Sequence, residues 1–133
     1  MLKLKLRHAT AGDINFILKS WLRTSKVLNP EIPDTMFYRE KEKEIKDAIA
    51  SELVEFQIYH PEGDEDTILG FIVYTPLKQA NILHFIYVKK DLRRQGFASN
   101  MVEAVGDVHV TTEKPPKWYD IPYNPMLWKK VVV

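Results

Sequence analysis

The stretch ILHFIYVKKDLRRQGFASNMV, residues 82–102, decides the fold of this chain. It begins with an apolar run that only His84 interrupts. A run of this length, rich in β-branched and aromatic side chains, predicts a strand that is buried on both faces. A basic loop follows, and after Gly96 the apolar residues Met101, Val102 and Val105 are spaced for one face of a helix. The stretch therefore predicts a buried strand, a basic loop and a helix that begins near a glycine.

The start of that helix is suited to bind an anion. The first N–H groups of a helix have no intrahelical partner, and the helix dipole adds positive charge there. A glycine lets a ligand approach the backbone closely, and nearby cations favour phosphate or pyrophosphate. Composition alone fits a plain strand-to-helix connection with solvated charges equally well, because short glycine motifs often arise by chance. The cations of the loop are Lys89, Lys90, Arg93 and Arg94.

The order of residues 93–98, RRQGFA, resembles the Arg/Gln-x-x-Gly-x-Gly/Ala signature of the GNAT family of N-acetyltransferases. The resemblance implies an α/β (α+β) fold with a mixed, mostly antiparallel central sheet flanked by helices. It also implies that the fourth and fifth strands diverge, and that acetyl-coenzyme A (acetyl-CoA) binds in the gap as co-substrate. Unpaired strand N–H and C=O groups in that gap would bond the pantetheine amides. The cofactor-binding residues implied are Ile86, Tyr87, Val88, Arg93, Arg94, Gln95, Gly96, Phe97, Ala98, Ser99 and Asn124.

Bulk properties restrict the class of protein. A chain of 133 residues with 45% apolar content fits one domain, residues 1–133. The formal net charge of +1 gives no global field that would favour nucleic acid or a membrane surface. The absence of cysteine excludes a disulfide framework, and the charges among the first leucines do not fit a signal peptide. These features favour a cytoplasmic protein.

Hydrophobic periodicity predicts the remaining elements. Helices are expected at residues 14–26, 34–51 and 124–130, and strands at 2–7, 54–59, 68–75, 107–112 and 131–133. Thr10 and Asp13 form a candidate capping box before the first helix. The expected buried stripe of the second helix consists of Met36, Phe37, Ile45, Ala48 and Ile49.

The C-terminal part departs from the family pattern. Residues 124–130 resemble the late segment of the family, but Trp128 stands nearest to the position of its usual tyrosine. The usual final hairpin is missing or truncated, so a shortened C-terminal end is expected. The small size is similar to that of acetyltransferase-like proteins encoded by bacteriophages.

Two residues are candidates for proton transfer. His84 has a reference pKa of about 6.5, which suits a general base, and its position resembles a histidine of the arylalkylamine branch of the family. The competing interpretation is a structural histidine with satisfied hydrogen bonds. Tyr123 is the candidate acid, Tyr87 is a second option that core packing also explains, and water is a third. His8, His60 and His109 have no ligand-type spacing to one another, so no metal site is expected.

The sequence therefore favours an acetyl-CoA-dependent N-acetyltransferase acting on a primary amine, in a small molecule or a protein, by direct attack in a ternary complex. The resemblance implies that the region between the first two helices borders the acceptor pocket. Phe37 and Tyr38 are candidates to line it, although helical spacing favours core packing for these aromatics. The alternative is a catalytically silent module that binds acetyl-CoA or a protein, including a homodimer formed by pairing of exposed sheet edges. Nucleic-acid binding through the basic loop is disfavoured by the balanced net charge, and a membrane partner is not expected.

Overall fold

A computed structural model describes residues 3–115 and 120–132. The strands are β1 (Leu4–His8), β2 (Glu55–Pro61), β3 (Gly70–Thr75), β4 (Asn81–Val88) and β5 (Val108–Thr111). The helices are α1 (Ile14–Leu28), α2 (Asp34–Ala50), α3 (Phe97–Val105) and α4 (Trp128–Val131), and 3-10 turns at Ala11–Asp13, Lys90–Leu92 and Pro125–Leu127 precede α1, α3 and α4. None of the helices in the described ranges is both long and apolar enough to cross a bilayer.

The five strands form one sheet in the order β1-β2-β3-β4-β5. The pairs from β1 to β4 are antiparallel, and β5 runs parallel to β4. The parallel pair requires a crossover, and α3 makes it. The predicted mixed, mostly antiparallel sheet with flanking helices is therefore confirmed.

Each face of the sheet packs against its own helices. Neighbouring residues of β2 and β3 point to opposite faces, as the period of two requires. The face towards α1 and α2 buries Ile17, Trp21, Ile45, Ala48, Val54, Ile58, Phe71, Val73, Phe85 and Val132. The face towards α3 buries Tyr59, Ile72, Tyr74, Leu83, Val88 and Met101.

The predicted elements agree with the structure to within two residues at most described ends. Two predictions are wrong. Met36 is 52% exposed, because the buried face of α2 is set by Phe37, Ile45 and Ala48. The chain at Val131 is helical rather than extended, and Val132 lies in a turn, since α4 packs against the sheet. The last residue of that predicted strand lies outside the described residues.

An ion pair ties β1 to the start of α1. The Arg7 guanidinium donates to both carboxylate oxygens of Asp13, at 2.8 and 3.1 Å, and the Thr10 N–H donates to the same carboxylate at 2.8 Å. The predicted capping box is present. The Arg7 hydrogen bonds, which outweigh burial, lower the pKa of Asp13 from 3.8 to about 2.

Replacing Asp13 with asparagine is expected to reduce the free energy of unfolding by about 1–3 kcal/mol at pH 7, because a charged, part-buried hydrogen-bond acceptor is lost. A carboxyl whose pKa is lowered by folding stabilises the fold above its unfolded pKa. The difference between wild type and Asp13→Asn should therefore be full above pH 4 and shrink as the pH falls towards 2. Urea unfolding across this range measures it. Glu62→Gln, which removes the exposed pair with Lys5, is the control and should change stability by less than about 0.5 kcal/mol.

Candidate active site

Strands β4 and β5 pair over a short distance and then separate. Their register covers Asn81, Ile82 and Leu83, and the last hydrogen bond runs from the Thr112 N–H to the Leu83 carbonyl at 3.0 Å. β4 continues to Val88, paired with β3 on one side only within the described ranges. Beyond Leu83, every second residue of β4 directs its N–H and C=O groups to β3, and the residues between them direct theirs into the gap, where a ligand can bond them.

The gap is part of a cleft of about 770 Å³. This size lies within the range of small-molecule sites. Residues 83–88 of β4 form one wall of the cleft, and the start of α3 forms another. The end of α1 and the segment after β5 close the remaining sides. The described wall residues are Thr24, Val27, Leu28, Leu83, His84, Phe85, Ile86, Tyr87, Val88, Leu92, Arg93, Arg94, Gly96, Phe97, Ala98, Ser99, Thr111, Glu113, Lys114 and Pro115.

The N-terminus of α3 presents free backbone donors to this cleft. The Asn100 N–H bonds the Gly96 carbonyl at 3.0 Å, so the N–H groups of the three residues before it precede the intrahelical ladder. Gly96 has φ = +81°, and a Cβ built there would meet no atom within 4 Å. Arg94 also has positive φ, at +66°, which is uncommon for a side chain other than glycine. The turn therefore aims backbone donors, with positive dipole charge, into open space.

The two arginines of the motif have different positions. Arg93 donates from Nε to the Val88 carbonyl at 2.9 Å, and its guanidinium lies 5.8 Å from the Tyr87 ring centroid, so it holds the loop against β4. Arg94 lines the cleft. Gln95 is exposed, outside the described cleft wall, and its side-chain amide contacts the Asp91 carbonyl at 3.4 Å.

His84 is fully buried, with 0% exposure, at the closed end of the gap. Its Nε2 lies 2.7 Å from the Thr75 hydroxyl, and its Nδ1 lies 2.6 Å from the Thr112 hydroxyl. Burial, and then repulsion from Lys41, lower its pKa from 6.5 to about 4. The imidazole is therefore neutral at pH 7, and both ring nitrogens are engaged.

A second cavity of about 360 Å³ lies between α2 and the segment after β5. Its wall includes Phe37, Trp128 and Tyr123, and Phe37 is also buried in the core, with 5% exposure. Tyr38 is exposed and lies outside the described wall. The two cavities share Glu113 and Lys114, so they adjoin at the end of β5.

Glu113 is a site residue that the sequence analysis missed. Its carboxylate is 7% exposed, accepts from Trp21 Nε1 at 2.6 Å and from the Ser25 hydroxyl, and lies 3.2 Å from Lys41 Nζ. Burial acts to lower the pKa of Lys41, but attraction from Glu113 and Glu44 outweighs it and raises that pKa. The available signal in the sequence was a charged residue directly after a predicted strand. That signal did not show that Glu113 would bond Ser25 and Trp21, which lie 88 and 92 positions away.

The structure brings most of the predicted cofactor residues together. The backbone and side chains of β4 and of the α3 turn meet at one cleft. Asn124 lies elsewhere: its side chain accepts from the Met126 N–H at 3.1 Å and caps the 3-10 turn before α4. Tyr123 is 49% exposed and lines the second cavity, whereas His84 lines the cleft. The two predicted catalytic residues therefore belong to different cavities.

Comparison with solved structures finds the same fold in several acetyltransferases. A predicted acetyltransferase from Clostridium acetobutylicum, solved with acetyl-CoA, superposes with a TM-score of 0.58 at 14% identity, over 96% of this chain and 88% of that one. A possible acetyltransferase from Clostridium difficile 630 gives 0.56 at 21% identity, over 77% and 68%. The PaiA N-acetyltransferase from Thermoplasma acidophilum, in complex with coenzyme A, gives 0.53 at 17% identity, over 77% and 70%.

Comparison at the level of sequence adds the family. No curated protein is similar enough to match. The sequence model of the acetyltransferase (GNAT) family matches residues 18–110. This range includes most of α1, all of β4, and the loop and helix α3 that follow it. The chain therefore belongs to the acetyltransferase (GNAT) family of enzymes.

Proposed function

We propose that this protein transfers the acetyl group of acetyl-CoA to a primary amine, by direct attack in a ternary complex. The observation that carries the proposal is the gap between β4 and β5, which ends at the free N–H groups of α3. An extended ligand with amides along its length and a diphosphate at one end matches this combination of an unpaired strand edge and a helix N-terminus.

The cofactor lies along β4 in this proposal. Its pyrophosphate binds the N–H groups of residues 96–99, with Arg93 and Arg94 nearby. Its pantetheine arm bonds backbone groups of Ile86 and Val88, which face the gap, whereas Tyr87 pairs with Phe71 of β3 and lines the cleft with its side chain. The Val88 carbonyl already accepts from Arg93, so the groups offered to the ligand are the Val88 N–H and the N–H and carbonyl of Ile86. The N–H of Ile86, which faces the gap, donates to the thioester carbonyl, where negative charge develops during attack.

The acceptor amine approaches from the second cavity. That cavity adjoins the cleft at Glu113 and Lys114, and Phe37 and Trp128 give it an apolar wall. The neutral amine nitrogen attacks the thioester carbon, a C–N bond forms and the C–S bond breaks. The nitrogen gives up one proton and the leaving thiolate gains one, so coenzyme A leaves as the free thiol. Tyr123 lines the acceptor side, and its phenol stays a candidate to protonate that thiolate. The general-base role predicted for His84 is untested, and the hydrogen bonds of both its ring nitrogens favour a positioning role instead.

Thiol release from acetyl-CoA in the presence of a panel of primary amines tests this function. At least one amine is expected to accelerate release above the rate with acetyl-CoA alone, and the product should carry one added acetyl group by mass spectrometry. The panel includes small apolar amines, polyamines and lysine-bearing peptides, because both small molecules and proteins are candidate acceptors. Binding of acetyl-CoA without acceleration by any amine would favour the catalytically silent module instead.

A further inference from the structure

We propose that His84 is a positioning residue, which joins the ends of β3 and β5 and thereby fixes the point at which β4 and β5 separate. We call the hydrogen-bonded chain Thr75–His84–Thr112 the His84 bridge. The inference deepens the proposed function and rests on it, because the separation that the bridge sets is the gap assigned to acetyl-CoA.

The backbone of β4 has an extra residue at His84. Val73 pairs with Phe85 and the next residue, Tyr74, pairs with Leu83, so His84 has no partner on β3 and forms a β-bulge. Leu83 and Phe85, two positions apart, would share a face in a regular strand. Here Leu83 packs towards α3, and Phe85 packs on the opposite face. A bulge bends its strand and increases the local twist.

The bulge lies at the point where the two strands part. Leu83 is the last residue of β4 that pairs with β5, and His84 follows it directly. The bulge and the start of the gap therefore coincide.

The hydrogen bonds of the imidazole hold both neighbours of β4. Thr75 is the last residue of β3, and Thr112 directly follows β5. In a neutral imidazole one ring nitrogen donates and the other accepts, and a threonine hydroxyl can do either. Each of the two neutral tautomers therefore satisfies the chain, with Nε2 bonded to Thr75 and Nδ1 bonded to Thr112.

This arrangement suits positioning better than proton transfer. A general base needs a free lone pair within reach of the substrate, and in either neutral tautomer a threonine hydroxyl occupies the lone pair of the imidazole. The ring has no exposed surface, and the Trp128 ring packs against it in a T-shaped arrangement with centroids 5.1 Å apart. Lys41 lies close enough to disfavour an imidazolium. The geometry therefore assigns the residue to the support of the cleft.

Removing either threonine hydroxyl tests the bridge. We expect Thr112→Val and Thr75→Val to raise the Kd for acetyl-CoA on the order of 10-fold each, and the double variant to be no worse than about twofold beyond either single one, because both break one chain. Thr112→Ser, which keeps the hydroxyl, should bind as the wild type does. Thr67→Val is the matched control, because it removes a threonine hydrogen bond to Asp64 in the distant β2–β3 hairpin.

Two further readouts separate positioning from catalysis and from folding. The pH profile of kcat for His84→Gln should keep the shape of the wild-type profile, with His60→Gln on β2 as the control. Amide hydrogen exchange at Thr112, whose N–H bonds the Leu83 carbonyl, should become faster in Thr75→Val and stay unchanged in Thr67→Val. This exchange measurement needs no cofactor.

Suppose that the wild type binds acetyl-CoA, and that both valine variants keep its Kd and its exchange rate at Thr112. This result overturns the bridge and leaves the proposed function intact. Loss of an acidic limb of the profile in His84→Gln assigns the residue to general-base catalysis and overturns the positioning role. If the wild type does not bind acetyl-CoA, the proposed function fails, and faster exchange at Thr112 alone still supports the bridge.

Discussion

Replacing Gly96 with glutamate is expected to abolish acetyl-CoA binding while the protein stays folded. The Cβ of a residue at position 96 points into open space in front of the α3 N-terminus. A glutamate side chain there would place bulk and negative charge where the pyrophosphate is proposed to bind. We expect the affinity measured by calorimetry to fall at least about 100-fold, which corresponds to about 2.7 kcal/mol.

Gly63→Glu is a matched control for the backbone. Gly63 has φ = +85°, close to the +81° of Gly96, and its Cβ would also meet nothing within 4 Å. It lies in the hairpin between β2 and β3, outside the described cleft wall. Both variants should lose a similar stability, on the order of 1–2 kcal/mol for a side chain in the left-handed region. Equal acetyl-CoA affinity in the two variants would contradict the position given to the pyrophosphate.

Replacing Glu113 with alanine is expected to lower the free energy of unfolding by about 3–5 kcal/mol, the range found when one partner of a buried ion pair is removed. The change leaves the Trp21 N–H and the Ser25 hydroxyl without their acceptor. It also leaves Lys41 with Glu44 alone, although the Lys41 side chain is only 14% exposed. Urea denaturation of wild type and variant at pH 7 measures the difference.

Asp47→Ala is the control for this variant, because it removes an exposed ion pair with Lys43 in α2 and should cost less than about 0.5 kcal/mol. The double variant Glu113→Ala with Lys41→Met should be more stable than the sum of the two single effects predicts, since it removes both charges together. A loss below about 1 kcal/mol in Glu113→Ala would show that the pair does not hold α1, α2 and the end of β5 together.

Local patterns predicted the elements of the fold because each pattern lies within one element. The apolar run of β4 and the spacing of Ile17 and Trp21 in α1 are properties of neighbouring residues, and the structure buries them as expected. The motif at residues 93–98 predicted the family for the same reason, since the loop and the helix start are contiguous. The predictions for Met36 and Val131 were wrong because the position of the sheet, rather than the local pattern, decides which face of α2 is buried and whether the chain after Trp128 is helical or extended.

The interior of the site depends on contacts that no local pattern contains. Glu113 meets Trp21 and Lys41 only after β5 has joined the sheet. The state of His84 depends on Thr75 and Thr112, which the bulge brings to its two nitrogens. A histidine in an apolar strand was open to both a catalytic and a structural interpretation, and the distances to the two hydroxyls favour the structural one.

Amide chemical shifts measured by NMR during titration with acetyl-CoA test the central claim most directly. The backbone groups beyond Leu83 on β4 and at the start of α3 should carry the cofactor. The predicted result is saturable shifts that are largest for residues 85–88 and 96–99, with β1 unaffected. Shifts that do not saturate, or that map to β1 and β2 while residues 96–99 stay unchanged, would contradict acetyl-CoA binding in the gap between β4 and β5.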